Sequence, residues 1–232
     1  MPKLVPIVVV IVVIALGLMW FSGQDKKASE VDSDTATSTA EELKTTLPDD
    51  GSYEMSVDES TVNWRGSKTL IENYEDTGTL KIKSGVFAVE SGIVSSGTIV
   101  FDMSSLEAAS SSNSVAGIGN LTKHLKSADF LDTVKFPTAT FVLVKADPVG
   151  GSDGGTFIFT GNLTLKGIAK EIQFPVHFAQ NEAGEVVING EFEINRTNWD
   201  IRYGSTKFFQ GLGDKAISDM IQVKFEAVAK AV

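Results

Sequence analysis

Residues 120–141, NLTKHLKSADFLDTVKFPTATF, decide how the rest of the chain is interpreted. The segment begins as a predicted short helix, because Asn120 is a favourable N-cap and positions 121, 124, 125 and 128 share one helical face. Pro137 prevents the helix from continuing, and from residue 138 the apolar side chains alternate as they do in a strand. A short helix joined to a strand through a turn that carries Phe130 and Leu131 predicts a lid over a β-sheet.

Three motifs stand out along the chain: HLKSADFLD (residues 124–132) with FPTATF (136–141), GNLTLKGI (161–168) and INRTNW (194–199). In their order and spacing they resemble the motifs of the YceI-like family, the polyisoprenoid-binding proteins. The likeness covers about residues 53–228, and it has one departure. Similar proteins often have a histidine in a His-x-Gly step, where this chain has Asp76. The resemblance implies a lipocalin-like barrel whose interior holds a long isoprenoid chain.

The composition excludes several classes of protein. The 232 residues carry a net charge of −10, and an acidic surface repels phosphate backbones, so the sequence predicts no nucleic-acid partner. Cysteine is absent, which excludes disulfides, thiolate metal sites and thiol catalysis. Because His124 and His177 are the only histidines, a metal site with several histidine ligands is excluded as well. The sequence therefore predicts neither a metal nor a cofactor.

The N-terminal part of the sequence predicts a membrane anchor and a linker. Residues 4–21 form an uncharged run of about 18 residues, close to the length that spans a bilayer. An uncleaved signal-anchor is favoured over a cleaved secretory signal, because residues 19–21 are bulky where a cleavage site needs small residues. Residues 22–51 are polar and lack aromatic residues, which predicts a flexible linker.

The expected organisation is a transmembrane segment at residues 1–21, a linker at 22–51 and a β-domain at 52–232. The predicted localisation is single-pass and membrane-anchored, through the N-terminal helix, with the domain outside the cytoplasm in the periplasm or at the cell surface. A homodimer is left open.

From residue 52 onward the pattern is that of an all-β domain. Period-2 alternation predicts strands at residues 53–57, 61–65, 78–83, 98–102, 139–145, 156–165, 171–178, 185–195 and 222–228. Long strands in sequential antiparallel order favour an up-and-down barrel or a sandwich, and the resemblance selects the lipocalin-like barrel with a short helical lid. Residues 104–119, rich in Ser and Gly, are predicted to be a mobile connection into the helix.

The inward faces of these strands carry the candidate ligand-binding residues. An eight-stranded barrel is wide enough to hold one small ligand, and Gly161 and Gly190 are expected to leave room in it. Periodicity alone favours a filled core, whereas the resemblance favours a ligand-binding lumen. The candidates along the lumen and under the lid are Phe130, Leu131, Phe141, Phe157, Phe159, Phe174 and Phe192.

Polar candidates lie at the predicted mouth of the barrel. Arg196, Trp199, Arg202 and Lys207 form a cationic and aromatic cluster, and a guanidinium group binds phosphate through two parallel hydrogen bonds. The alternative is an arginine that pairs with a carboxylate and packs on Trp199. His124 shares the apolar face of the lid helix, which favours a structural role over one at the ligand.

The resulting hypothesis is a non-enzymatic protein that binds, sequesters or transports a polyisoprenoid or similar long-chain lipid at the cell envelope. An isoprenoid quinone and a prenyl phosphate both fit this class. Two alternatives stay open: a structural or interaction β-domain with a filled core, and an enzyme that acts on a lipid with His124 as the base.

Overall fold

The computed structural model describes residues 44–112, 117–150 and 155–232. Within these ranges the chain forms one α-helix, α1 (Ile118–Lys126), and short 3-10 turns at Arg196–Trp199 and Gly213–Lys215. The strands are β1 (Lys44–Thr45), β2 (Gly51–Ser67), β3 (Glu75–Glu90), β4 (Ile93–Ser111), β5 (Thr138–Pro148), β6 (Thr156–Leu165), β7 (Ile168–Gln180), β8 (Val186–Asn195) and β9 (Met220–Ala231).

Strands β2 to β9 form a closed, eight-stranded antiparallel barrel. Each strand pairs with the next in the sequence, and β9 returns to β2 through the register Tyr53↔Ala231 and Arg65↔Gln222. The two residues of β1 pair with β7 on the edge opposite β8. The predicted all-β, up-and-down barrel is therefore confirmed. Closure of β9 onto β2 is favourable because it removes the unpaired edges that an open sheet would leave.

The core occupies the interior of the barrel, as the alternation predicts. On β6 the inward side chains of Phe157, Leu163 and Leu165 are buried, and β7 continues the pattern with Phe174, Val176 and Phe178. His177 points outward and is exposed, and its Nδ1 lies 3.0 Å from the Thr156 hydroxyl on the neighbouring strand. His177 therefore lies on the outer face of the barrel.

The strands are longer than the sequence pattern predicts. Residues 104–111, predicted to be mobile, are the second half of β4, where Leu106 and Ala108 are buried. The hydroxyl of Ser105 accepts a hydrogen bond from the Lys81 backbone N–H at 2.8 Å, and this bond helps to hold β4 against β3. The prediction of a mobile connection is wrong for these residues, because the serines interact with the neighbouring strand.

The lid helix starts three residues before the expected position. Gly117, with a φ of 72°, is the N-cap, and Asn120 lies inside α1. The helix is tied to the barrel because the Thr122 hydroxyl accepts the Ala108 N–H at 3.0 Å. No residue of α1 is fully buried, so the helix covers the barrel end without becoming part of the packed core.

The region before β2 requires two corrections. Residues 44–51 fall in the predicted linker, yet Thr46 N–H donates to the Phe178 carbonyl at 3.2 Å and the Asp50 carboxylate accepts from the N–H groups of Ser91 and Gly92. These residues belong to the barrel domain. Across the described ranges no helix is long and apolar enough to cross a membrane. The structure therefore does not support the predicted transmembrane helix or the single-pass, membrane-anchored localisation. Residues 4–21, on which they rested, lie outside the described residues.

Candidate functional site

A cavity of about 220 Å³ lies between α1 and the adjoining end of the barrel. The lid contributes Leu121, Leu125 and Leu131 to its wall. The barrel contributes an apolar ring from four strands: Trp64, Leu165, Ile194 and Ile221. These residues place the cavity at the barrel end that the lid covers.

The turn after α1 closes one side of this cavity. Phe130 is buried at 6% exposure, and Leu131 is partly buried beside it. The turn is held by backbone bonds from Leu131 N–H to the Leu125 carbonyl (3.1 Å) and by the Lys166 ammonium, which donates to the Phe130 carbonyl (2.7 Å). Lys166 connects β6 to β7, so the barrel itself positions the turn.

His124 lies in the cavity wall between two aromatic rings. Its ring centroid is 5.2 Å from that of Phe130 and 4.5 Å from that of Tyr203, both in edge-on geometry. The Nε2 atom is buried and has no hydrogen-bond partner among the described residues, and the same holds for Nε1 of Trp64. A buried polar group without a partner costs about 1–3 kcal/mol, so these two nitrogens, both on wall residues of the cavity, are candidate hydrogen-bonding groups for a ligand.

Arg196 is part of the wall and is fully engaged by the protein. Its guanidinium, with a side chain only 1% exposed, donates to the carbonyls of Ser218 (2.9 Å), Ile201 (2.8 Å) and Ile217 (3.3 Å). It also lies 3.3 Å from the carboxylate of Asp219. Burial lowers the pKa of Arg196, and the attraction of Asp219 opposes this shift. The donors of this arginine therefore hold the 3-10 turn against the start of β9.

The other members of the predicted cationic cluster do not line the cavity. Trp199 is buried, and its Nε1–H donates to the Leu163 carbonyl at 3.1 Å. Arg202 is exposed, pairs with Asp200 and lies 4.9 Å from the ring centre of Phe208. The cluster that is continuous in sequence therefore splits into a buried structural part and an exposed part.

The five lumen phenylalanines lie behind the cavity rather than in its wall. Phe174 is at the centre of a ring cluster, with centroid distances of 4.6 Å to Phe192, 5.2 Å to Phe141 and 6.3 Å to Phe159. Phe157 packs edge-on against the ring of Phe178 at 5.8 Å. The space beside Gly161 and Gly190 is taken by rings, because a Cβ at either glycine would lie within 2.4 Å of Phe141 or Phe225 atoms.

Several wall residues carried no recognisable signal in the sequence. Asp76 lies at the start of β3, Tyr74 immediately precedes that strand, and Lys68 follows β2. Burial raises the pKa of Tyr74, a hydrogen bond with Ser111 opposes this, and the charge of Asp76 and a hydrogen bond with it add to the rise. The Lys68 ammonium donates to the Asp214 carbonyl at 2.9 Å and lies 4.7 Å from the Tyr74 ring centre. Asp76, at which the sequence departs from the expected His-x-Gly step, is thus part of the cavity wall.

Neither a metal-ligand cluster nor a hydrogen-bonded partner of His124 Nε2 is found among the described residues. In the ranges the structure describes, no group of three or more His, Cys, Asp or Glu side chains could hold a metal ion. His124 Nε2 has no hydrogen-bonded acid or nucleophile among these residues. A general base needs such a neighbour or a substrate proton within hydrogen-bond reach.

These features define a class of protein: a closed antiparallel barrel with an apolar cavity under a helical lid, as in lipocalin-type binding proteins. The sequence matches the YceI-like domain over residues 53–229. The chain therefore belongs to the YceI-like domain family.

Similar proteins share a short stretch of sequence with this chain. A UPF0312 protein of Shewanella sp. strain ANA-3 is 42% identical over 55 residues, which is 24% of this chain and 27% of that protein. A UPF0312 protein of Azotobacter vinelandii strain DJ is 43% identical over 56 residues, 24% of this chain and 28% of the relative. The chain thus spans about a quarter of the length of these relatives.

Two solved structures share the fold over most of the chain. Burkholderia cenocepacia BcnA has a TM-score of 0.59 at 23% identity, and the match covers 76% of this chain and 99% of BcnA. A polyisoprenoid binding domain from Saccharophagus degradans, implicated in plant cell wall breakdown, has a TM-score of 0.55 at 14% identity, covering 78% and 98%. At these identities the similarity is one of fold.

Proposed function

We propose that this protein binds an isoprenoid or a comparable lipid, without chemical conversion, in the cavity beneath α1. The observation that carries the proposal is the apolar ring of Trp64, Leu165, Ile194 and Ile221 under a lid that is not part of the packed core. Each methylene group moved from water into such a site contributes about 0.8 kcal/mol. A few isoprene units can therefore outweigh the entropy that a flexible chain loses on binding.

The fold similarity supports a lipid of the isoprenoid class. The Saccharophagus degradans domain is described as polyisoprenoid binding, and this chain shares its fold and belongs to the YceI-like family. Four of the residues predicted from the sequence, His124, Phe130, Leu131 and Arg196, are in the cavity wall and are proposed as direct contacts.

The charges at the cavity favour an uncharged polar end over a phosphate. The guanidinium of Arg196 already donates to three carbonyls, and the Lys68 ammonium donates to a fourth. The Asp76 carboxylate in the same wall would repel an anion. A carbonyl or hydroxyl oxygen, by contrast, can accept from the unpartnered Nε1–H of Trp64. An isoprenoid with a neutral head group is therefore the proposed ligand.

Titration of delipidated protein with farnesol, followed by tryptophan fluorescence, tests this proposal. Ile221→Phe should fill the cavity, because Ile221 lies in its wall and is partly buried, and should weaken binding at least about tenfold. Ile93→Phe is the matched control, since Ile93 is 46% exposed on β4 and lies outside the cavity wall. Unchanged binding by Ile221→Phe, or no binding by the wild type, would contradict the proposal.

The second expected result is that farnesyl diphosphate binds more weakly than farnesol. Equal or tighter binding of the diphosphate would show that the polar end contacts a cation that this proposal does not use. A homodimer stays a prediction, which the mass of the protein in solution tests.

A further inference from the structure

We infer that the cavity accepts only a short apolar chain, because a layer of phenylalanine rings closes the barrel directly behind it. This inference rests on the proposed function and concerns the length of the ligand. The inferred ligand is a lipid that places only a few isoprene units inside the protein.

The barrel interior is stacked in layers, because inward side chains recur at every second residue of a strand. The layer that lines the cavity contains Trp64, Leu165, Ile194 and Ile221. Two residues further along the same strands, the next layer contains Val62, Leu163, Phe192 and Val223. The interior changes at this step from an open space to a closely packed one.

The volumes show where the space ends. The cavity measures about 220 Å³, whereas the two voids deeper in the barrel measure about 40 Å³ and about 30 Å³. Phe141, Phe174 and Phe225 are in the walls of both small voids. These three rings, together with Phe192, form the aromatic floor of the cavity.

Contacts on several sides hold the aromatic floor in place. Phe174 stacks on Phe192 at 4.6 Å with 28° between the planes, and meets Phe141 and Phe225 edge-on at 5.2 Å and 6.2 Å. The outer rings lie against backbone that lacks a side chain: Phe141 fills the space at Gly161, and Phe225 fills the space at Gly190. Turning any one ring away would require the others to move, so the floor is a built limit rather than a loose side chain.

The consequence is a plateau in affinity with chain length. Each methylene group that enters the cavity should raise affinity about fourfold, and a group beyond the aromatic floor should add nothing. Affinity should therefore rise more than about tenfold from geraniol to farnesol and change less than about threefold from geranylgeraniol to solanesol.

Titration of the delipidated full chain with these four prenyl alcohols tests the inference. Phe174→Leu should open the floor and raise the affinity for solanesol relative to farnesol at least about tenfold. Phe157→Leu is the matched control, because Phe157 is also buried, at 1% exposure against 6% for Phe174, but is in the wall of neither small void. It should leave the length profile unchanged.

The possible outcomes of this titration test the aromatic floor and the proposed function separately. Wild-type affinity that keeps rising up to solanesol would overturn the aromatic floor and leave the proposed function intact. No binding of any prenyl alcohol would instead contradict the proposed function. If circular dichroism shows that Phe174→Leu is unfolded, Phe192→Leu replaces it, since Phe192 is partly buried and lies directly behind the cavity. A length profile unchanged in the folded variant would also overturn the inference.

Discussion

Replacing Arg196 with methionine should destabilise the barrel domain strongly. Methionine keeps much of the side-chain volume but removes the donors to Ser218, Ile201 and Ile217 and leaves the Asp219 carboxylate without its cation. Asp219 retains the Ser205 hydroxyl, which donates to its other carboxylate oxygen at 3.0 Å. The substitution therefore separates a buried ion pair while the surrounding packing is largely kept.

The expected loss of stability follows from the burial of this pair. The Arg196 side chain is 1% exposed and that of Asp219 is 22% exposed, so water can replace the lost interaction only at the carboxylate. Removing one partner of a buried ion pair costs about 3–5 kcal/mol. For a domain of this size that corresponds to a fall in the melting temperature of about 6–20 °C.

Thermal unfolding followed by circular dichroism, with urea unfolding as a second measurement, tests this value. The double variant Arg196→Met/Asp219→Asn should lose less than the sum of the two single variants, because both side chains belong to one interaction. A fall of less than about 2 °C for Arg196→Met would refute the structural role of the arginine. Such a result would instead favour Arg196 as a contact for an anionic head group, the first of the two roles considered from the sequence.

Three further results are expected. Gly161→Ala should cost about 1–3 kcal/mol in unfolding experiments, because its Cβ would meet the Phe141 ring and the Val142 carbonyl, whereas Gly119→Ala in α1 meets nothing and should be neutral or stabilising. The N–H groups of Gly92 and Ser91 lower the pKa of Asp50, so its stabilising contribution is present above about pH 4 and is lost as the pH falls; Asp50→Asn should flatten this part of the stability profile. Chelator should leave the melting temperature unchanged, and a fall restored by one particular ion would show a carboxylate metal site.

The candidate site was only partly predictable from the sequence. The segment that carries His124, Phe130 and Leu131 was identified because a helix, a proline and a strand follow one another within one stretch. Trp64 and Tyr74 were not identified, and Asp76 stood out only as a departure from a motif, because their common position depends on how β2 and β3 lie beside α1. Those contacts join residues that are far apart in the chain.

The sequence by itself determined the strand order and the face on which most side chains lie. Alternation is a property of neighbouring residues, so the inward positions of Phe141, Phe157 and Phe174 could be derived from the chain alone. Sequential antiparallel strands then favour an up-and-down barrel or a sandwich, and the pairing of β9 with β2 shows that the barrel forms.

Only the tertiary structure decided what fills the barrel and what Arg196 binds. Gly161 and Gly190 each leave space that a ligand or an aromatic ring could occupy. In the structure, neighbouring strands place a ring at both positions. The carbonyls of Ile217 and Ser218 that engage Arg196 come from a separate segment about 20 residues later in the chain. A cavity is the difference between the volume that the strands enclose and the volume of the side chains inside, and no single stretch of sequence contains that difference.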